Sequence, residues 1–558
     1  MQKLVRYDAC ITGAAIITAF SSILGVFIPL AMRRGIDSKG GFSITVGAAL
    51  IGLFLGQALL VTLGSYLMAR SGERQVEALR GRVTNHLLHV PMDFFDHEQS
   101  AELAAHIIND TDSIRIFFTN SLPAFVASIV TIVGSIAALF ALDWRLSLTL
   151  LIALPLVIFI VIPLANATGG VAKKLQTTIG ETTGSLGESF RQAELIKANT
   201  AEKETGHVAA GKFRELYRIA LRSDLLDAIT SPLVLMFLFG AVALVFTYGG
   251  QRVAAGTLTV GTLMSFLIYM FQLLNPLGGL SEFFAAKGRM NGATAKLQTF
   301  LATPVENDSG ATTIPSGELA LNTVSFAYTA DTPVLSNVSL KAGPQQKIAI
   351  VGPSGGGKST VIDLIERFYE PTAGSVTIAG QDAGQFDLVA WRDNIGLVSQ
   401  NSAVVAGTVR DNLLFGTTKE YSSDQIGTAL AAAGLTQDIA GLPQGLDTPV
   451  GEDGNLLSGG QKQRLQIARV YLKQPAFVIF DEATANLDAD AESRVTEILK
   501  TVLENSAALV VAHRLSTIVD ADVIYFLEDH QITGVGTHKE LMQTHPTYQR
   551  FVEEQMIE

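Results

Sequence analysis

The sequence has a single cysteine, Cys10, so no disulfide can form within the chain. Charge is scarce: 16% of residues are Asp, Glu, Lys or Arg, against about 25% in ordinary soluble domains. The net charge is -12 and no basic stretch relieves it, which argues against a nucleic-acid partner. A cleavable signal pattern is also missing. The first apolar run ends in Met32-Arg33-Arg34 and not in a small-residue cleavage site, so it is expected to stay as a membrane span.

What the chain does have is long apolar tracts, and they are confined to its first part. Mean hydropathy is positive, +0.34. Up to about Leu301 the apolar runs dominate, and beyond it the pattern is that of a soluble α/β domain. Six runs approach or exceed the roughly 20 residues that cross a bilayer core. They are Ala9 to Met32, Ile44 to Met68, Phe117 to Leu142, Leu146 to Ala165, Ala228 to Gly249 and Gly261 to Leu280, and none contains Asp, Glu, Lys, Arg or His. Six buried helices of a soluble core would be the alternative, but uncharged runs of this length and number belong to membranes. Intramembrane ionisable residues usually mark ion pathways, so nothing here suggests ion coupling.

Short links join the first and second, third and fourth, and fifth and sixth runs. Long polar segments, Arg70–Ile116 and Asn166–Asp227, separate the others, and both are rich in Arg and Lys. Arg33, Arg34, Lys39, Arg145 and Arg252 are all that the short links hold. The bias of basic residues predicts that both long segments and both termini are cytoplasmic. Apolar residues at three- and four-residue steps predict that the long segments are helical extensions, each turning at its far end. The turns are expected near Asn109–Arg115 and Thr200–His207, where short polar residues collect. Inside the fifth and sixth runs, Met236, Phe237, Phe239, Phe246, Tyr248, Met264, Phe266, Tyr269, Met270 and Phe271 are adaptable side chains. They suit either permissive apolar binding or plain helix packing. Gln57, Gln272 and Asn275 could donate hydrogen bonds to a ligand or merely join helices.

These patterns divide the chain into a membrane domain over residues 1–302, a linker over 303–317 and an α/β domain over 318–558. In the last of these, Gly352-Pro353-Ser354-Gly355-Gly356-Gly357-Lys358-Ser359 matches G-x-x-x-x-G-K-[ST], the phosphate-binding loop. A β-rich run, Lys347–Val351, precedes it and a helical stretch from Thr360 to Phe368 follows. Glycines let backbone N–H groups close around phosphate oxygens at a helix N-terminus. Lys358 would reach the β- and γ-phosphates, and the Ser359 hydroxyl would bind Mg²⁺. Further on, Phe477-Val478-Ile479-Phe480 reads as a buried strand ending in two carboxylates, Asp481 and Glu482. In such sites the first holds Mg²⁺ and the second orients or deprotonates the attacking water.

Leu457-Ser458-Gly459-Gly460-Gln461 then resembles the signature that sets ATP-binding cassette (ABC) proteins apart from other phosphate-loop ATPases. Further elements are similar in order and spacing. Tyr328 resembles the aromatic that stacks on adenine, and Gln400 the glutamine that senses Mg²⁺ and γ-phosphate. Ala485-Asn486-Leu487-Asp488 resembles the D-loop, with Ala485 and Asn486 in place of the commoner small residues. His513 resembles the histidine that contacts γ-phosphate. Six spans followed by one cassette resemble an exporter half-transporter, of the kind represented by homodimeric bacterial multidrug exporters, and Glu452 fits the loop typical of exporters ahead of the signature. The resemblance implies a type I exporter fold of six transmembrane helices followed by an α/β phosphate-loop ATPase. It implies ATP and Mg²⁺ as ligands, held by Tyr328, Gly352 to Thr360 and Ser458 to Gln461, with Ser359, Gln400 and Asp481 on the metal. Glu482, His513, Lys358 and Gln400 would carry the chemistry. In this family the signature of one subunit covers the nucleotide on the other's phosphate loop, so the implied partner is a second copy. The implied cargo is hydrophobic or amphipathic small molecules, in contact with membrane lipids. A lipid flippase on the same scaffold is the alternative, and an ATP-gated signalling or channel component a more distant one.

Overall fold

A computed structural model describes residues 9–38, 43–98, 100–151, 159, 162–329, 332–417, 419–451, 454–481, 506–511 and 518–555. It divides into two compact units. The first comprises Met1–Asn85 with Leu103–Ala302, and the second His86–Glu102 with Thr303–Glu558.

The first unit is helical. α1 spans Ala9–Ile36 and α2 Ile44–Leu87. After α3 (Met92–His97), α4 covers Ser100–Ile116, passes through a π turn at Phe117–Ser121 and continues as α5, Leu122–Leu142. α6 is Trp144–Leu151 and α7 Ile162–Arg191. A short α8, Ala193–Ala198, leads to the long α9, Glu202–Ala254. α10 (Val260–Gln272) and α11 (Leu274–Ala302) complete the unit. Among the described residues, four helices are long and apolar enough to cross a membrane: Cys10–Ile36, Ile44–Leu87, Glu102–Leu142 and Glu202–Ala254. The fourth apolar run falls partly on residues 152–158, 160 and 161, outside the described ones. The sixth is interrupted at Leu273 because Pro276 has no N–H and its ring crowds the carbonyl four residues back, which separates α10 from α11.

The expected position of the first turn needs correction. Asn109–Arg115 lies inside α4, and the chain turns instead around Val90, Pro91 and α3. A proline disfavours helix at the residue before it, and Pro91 ends the run of α2. The polar residues of α4 have other partners. Thr111 accepts from Arg80 Nε at 2.8 Å, and Arg115 pairs with Asp112 at 2.6 Å and Glu73 at 3.4 Å, so they tie α4 to α2. The second turn runs from Gln192 through α8 to Ala201, with Thr200 at φ +51°, while His207 already belongs to α9.

A seam of hydrogen bonds joins α1 to α10. Pro29 lies inside α1 and cannot donate to the carbonyl of Gly25. Gln272 Nε2 donates to that carbonyl at 3.4 Å, Ser265 Oγ to Pro29 O at 2.7 Å, and the Tyr269 hydroxyl to Val26 O. At the end of α1, Asp37 accepts from Thr259 Oγ1 at 2.7 Å and from Gly261 N at 3.0 Å. Gln57 lies against Gly25 from α2. Phe266, Tyr269 and Met270 are buried in the helix core, whereas Met236, Phe239, Phe246, Met264 and Phe271 are exposed.

The second unit contains two sheets. The smaller is antiparallel, in the order β2-β1-β4-β5, formed by β1 (Leu319–Thr329), β2 (Thr332–Ala342), β4 (Ala373–Ile378) and β5 (Gln381–Asp382). The larger has the order β10-β9-β3-β8-β7-β6. Its strands are β3 (Lys347–Val351), β6 (Ile395–Val398), β7 (Phe477–Asp481), β8 (Ala507–Val511), β9 (Val523–Glu528) and β10 (Gln531–Gly536). All neighbours are parallel except β9 and β10. β3, β7 and β8 are almost wholly buried, as near-continuous apolar runs in a covered parallel sheet should be. Residues 303–318 are not a loose tether. Glu306 receives a bidentate pair from Arg392 at 2.7 and 3.0 Å, and Ala311 N donates to Gln385 O at 2.9 Å.

Candidate functional site

In a parallel sheet, ligands gather outside the carboxyl ends of the strands. Four adjacent strands deliver the sequence-predicted residues to that edge. β3 ends at Val351 and opens into the phosphate loop, and β8 ends at Val511, two residues before His513. β7 ends on Asp481, which pairs with Val511, and β6 ends at Val398, just before Ser399 and Gln400. Asp481 is half-buried and Gln400 exposed. Glu482, His513, Glu452, Ala485 and Asn486 lie outside the described residues.

The loop is shaped by two glycines. A Cβ at Gly352 would come within 2.0 Å of Leu527 O, and one at Gly357 within 2.8 Å of Leu335 Cδ2. Gly357 also has φ +95°, a conformation that disfavours any side chain. It caps α12, Lys358–Ile365, so the helix begins on the lysine itself. Lys358 is buried and its Nζ donates to Gly352 O at 2.8 Å and Pro353 O at 2.9 Å, folding the ammonium into the loop. Pro353, Ser354, Gly355 and Ser359 are exposed at the mouth, Gly356 is half-buried, and Thr360 is buried beneath. A helix N-terminus beside an enclosed cation fits an anionic phosphate chain.

Tyr328 stands beside α12. Its hydroxyl donates to Asp363 Oδ2 at 2.9 Å and lies 3.1 Å from Thr360 Oγ1, while the residue as a whole is 43% exposed. Burial pushes the Tyr328 phenol up to about 12 and raises the Asp363 carboxyl as well. The tyrosine is therefore neutral at any physiological pH and offers an open ring face. Phe326 and Tyr369 meet that ring edge-on, at 4.9 and 5.0 Å between centroids.

Ser458 caps α15, Gly459–Lys473, which follows α13 (Val409–Leu413) and α14 (Ser423–Ala432). Ser458 Oγ accepts from Gln461 N, and Gln461 Oε1 accepts from Ser458 N at 2.9 Å, a reciprocal capping box. The Gln461 amide also donates to Asp438 at 2.9 Å, and Arg464 pairs with the same carboxylate at 2.8 Å. Gln461 thus holds the helix start in shape, leaving Ser458 and Gly459 exposed, with Gly460 half-buried behind them. From the same helix, Gln466 Nε2 donates to Ser399 Oγ at 3.0 Å, which links the signature helix to the segment bearing Gln400. Sequence reasoning missed Asp363, Tyr369, Asp438 and Gln466. None belongs to a motif of its own, and only spatial neighbours reveal them.

A family model described as the transmembrane region of ABC transporters matches residues 9–277, and a second described as ABC transporter matches 335–485. A "Multidrug resistance ABC transporter ATP-binding and permease protein" of Lactococcus lactis subsp. lactis (strain IL1403) is 35% identical, over 97% of this chain and 93% of the relative. The chain is an ABC exporter half-transporter. An "ATP-dependent lipid A-core flippase" of Thiobacillus denitrificans is 33% identical to the transporter, over 94% of this chain and 91% of the relative. Among solved structures, a bacterial Atm1-family ABC exporter with ATP bound is similar, with TM-score 0.81 and 26% identity over 98% of both chains. The transporter therefore has a multi-pass membrane domain and an ATPase domain that binds and hydrolyses ATP to drive transport.

Proposed function

We propose that this transporter works as a homodimer that exports hydrophobic or amphipathic compounds across the cytoplasmic membrane, with both termini and the ATPase domain in the cytoplasm. The orientation rests on the excess of Arg and Lys in the two long segments. One observation carries the dimer. The phosphate loop exposes Ser354, Gly355 and Ser359, and the signature helix exposes Ser458 and Gly459, so each chain carries one open loop and one open helix start. A nucleotide lying on the first is closed over by the second of another copy. Leu195 on the uncovered α8 turn is 60% exposed, which also supports a covering copy.

Adenine stacks on Tyr328, and the loop amides and Lys358 hold the phosphates. Ser359, Gln400 and Asp481 form an oxygen donor set of hydroxyl, amide and carboxylate that suits Mg²⁺. When bound, that ion neutralises charge on the β- and γ-phosphates. Glu482 accepts the proton of the attacking water, and His513 contacts the γ-phosphate. Closure of the two copies draws the cytoplasmic turns together and opens the membrane cavity outward, and hydrolysis resets it. Cargo has only to bias the two states.

The cargo reading rests on spans without charge, on exposed Met236, Phe239, Phe246, Met264 and Phe271, and on the multidrug exporter among the relatives. The lipid A-core flippase among the relatives favours a lipid cargo as the second reading. Uptake into inside-out vesicles separates them: labelled drug should accumulate with ATP, and labelled lipid should not outcompete it. If lipid alone moves, the second reading replaces the first. Glu482→Gln should lower hydrolysis at least ~100-fold while ATP binding persists. Wild-type hydrolysis in that variant would remove Glu482 from its role.

A further inference from the structure

The aromatic group beside the phosphate loop does not end at Tyr328. Tyr369, which follows α12, sets its ring edge-on against Tyr328 at 89° and against Phe326 at 61°. Its hydroxyl donates to a carboxylate oxygen of Asp96, on α3. Burial first, and then this bond to Asp96, push the Tyr369 phenol well above the usual tyrosine range, so it stays a donor. A continuous path results: Asp96 on α3, Tyr369, Tyr328, then Thr360 and Asp363 on α12, whose first turn carries Lys358 and Ser359.

α3 is the turn between α2 and α4, and its segment is fixed at other points too. His89 O accepts from Glu306 N at 2.7 Å, His86 lies 3.0 Å from Thr303 O, and Val90 is buried. The Tyr369 hydroxyl joins this docked turn to the aromatic group. If Asp96 withdraws, Tyr369 loses its acceptor and the edge that steadies Tyr328 is released. Tyr328 then presents its face to a base less often in the stacking orientation.

We propose that Asp96 and Tyr369 are positioning residues for the nucleotide: they set ATP affinity by holding the Tyr328 ring, and so make affinity depend on whether α3 is docked. Coupling is reciprocal, so nucleotide on Tyr328 favours docked α3 by the same factor. The proposal rests on the reading of Tyr328 as the adenine platform.

The test uses the full-length protein in lipid and measures ATP KM, kcat and affinity for a fluorescent ATP analogue. Asp96→Asn and Tyr369→Phe keep shape and ring, and each should raise KM and Kd about fivefold with kcat at saturating ATP within about twofold. Because both break one bond, the double variant should be no weaker than either single one. Unchanged affinity in both single variants, or multiplied effects in the double variant, would overturn the proposal. Tyr328→Ala separates it from the reading beneath. If Tyr328→Ala leaves Kd unchanged, the adenine platform is wrong; if it weakens binding while Asp96→Asn and Tyr369→Phe do not, only the positioning role is wrong.

Discussion

The phosphate-loop edge of the ATPase unit and the α1–α10 seam of the membrane unit solve opposite problems with the same backbone groups. At the loop, Gly352 and Gly357 let the backbone close where no side chain would fit, and Lys358 rests on the loop's own carbonyls. At the seam, Ser265, Tyr269 and Gln272 use their donors on the carbonyls of Pro29, Val26 and Gly25. Water can satisfy a loop between ligands, but hydrocarbon cannot satisfy the carbonyl that Pro29 leaves without its helix partner. The ATPase unit therefore keeps polar groups ready for a ligand, while the membrane unit uses them to hold helices together. Gln272, an open candidate for cargo contact from sequence, is engaged with α1. Met236, Phe239 and Phe246 of α9 and Met264 and Phe271 of α10, by contrast, are exposed.

The largest expected break of this contrast is Gly357→Ala. The new Cβ would meet Leu335 and Val334 in a conformation that disfavours alanine, and hydrolysis should fall at least ~100-fold in a phosphate-release assay. Next is Leu195→Glu on α8, whose side chain has no buried contact to lose in a single chain. If a second copy covers it, transport into vesicles should fall roughly tenfold, while the thermal midpoint of detergent-dispersed chain changes little. A smaller effect, about 1 kcal/mol, is expected for Tyr269→Phe, which leaves the Val26 carbonyl without that donor. Chemical denaturation in lipid should show it without change in ATP KM; a change in cargo KM instead would make Tyr269 a recognition residue.

The smallest effect concerns Glu366, a buried carboxylate lining a cavity of about 380 Å³ with Phe415, Arg469 and Lys473. Burial raises it from the ordinary 4.5 to about 7, although Lys473 and Arg392 oppose the shift. The unfolded chain ionises it near 4.5, whereas the folded one holds the proton to about 7. Its favourable contribution is thus complete below pH 4.5 and is lost as pH rises to about 7. Glu366→Gln should flatten the stability–pH profile in that window, as read by denaturation at several pH values.

Much of this was legible in the residues themselves. Lys347–Val351 and Phe477–Asp481 are strands over the ranges that their apolar runs suggested, because short apolar stretches bounded by turn residues have few other outcomes. The turn of the first helical extension was misread because short polar residues at Asn109–Arg115 resemble a turn, and in a helix they serve equally well as ties to α2. Pro91 was the stronger signal, since it acts on the backbone directly.

Motif spacing alone determined the phosphate loop, the signature and the apolar spans, since each depends on neighbours within a turn or two of chain. Only tertiary structure decided what spans long separations: four strand ends at one sheet edge, the donors of α10 around Pro29, and Asp96 against Tyr369. The physical reason is that a local pattern constrains the backbone within reach of its own hydrogen bonds. A contact between residues 273 positions apart depends on how whole elements pack.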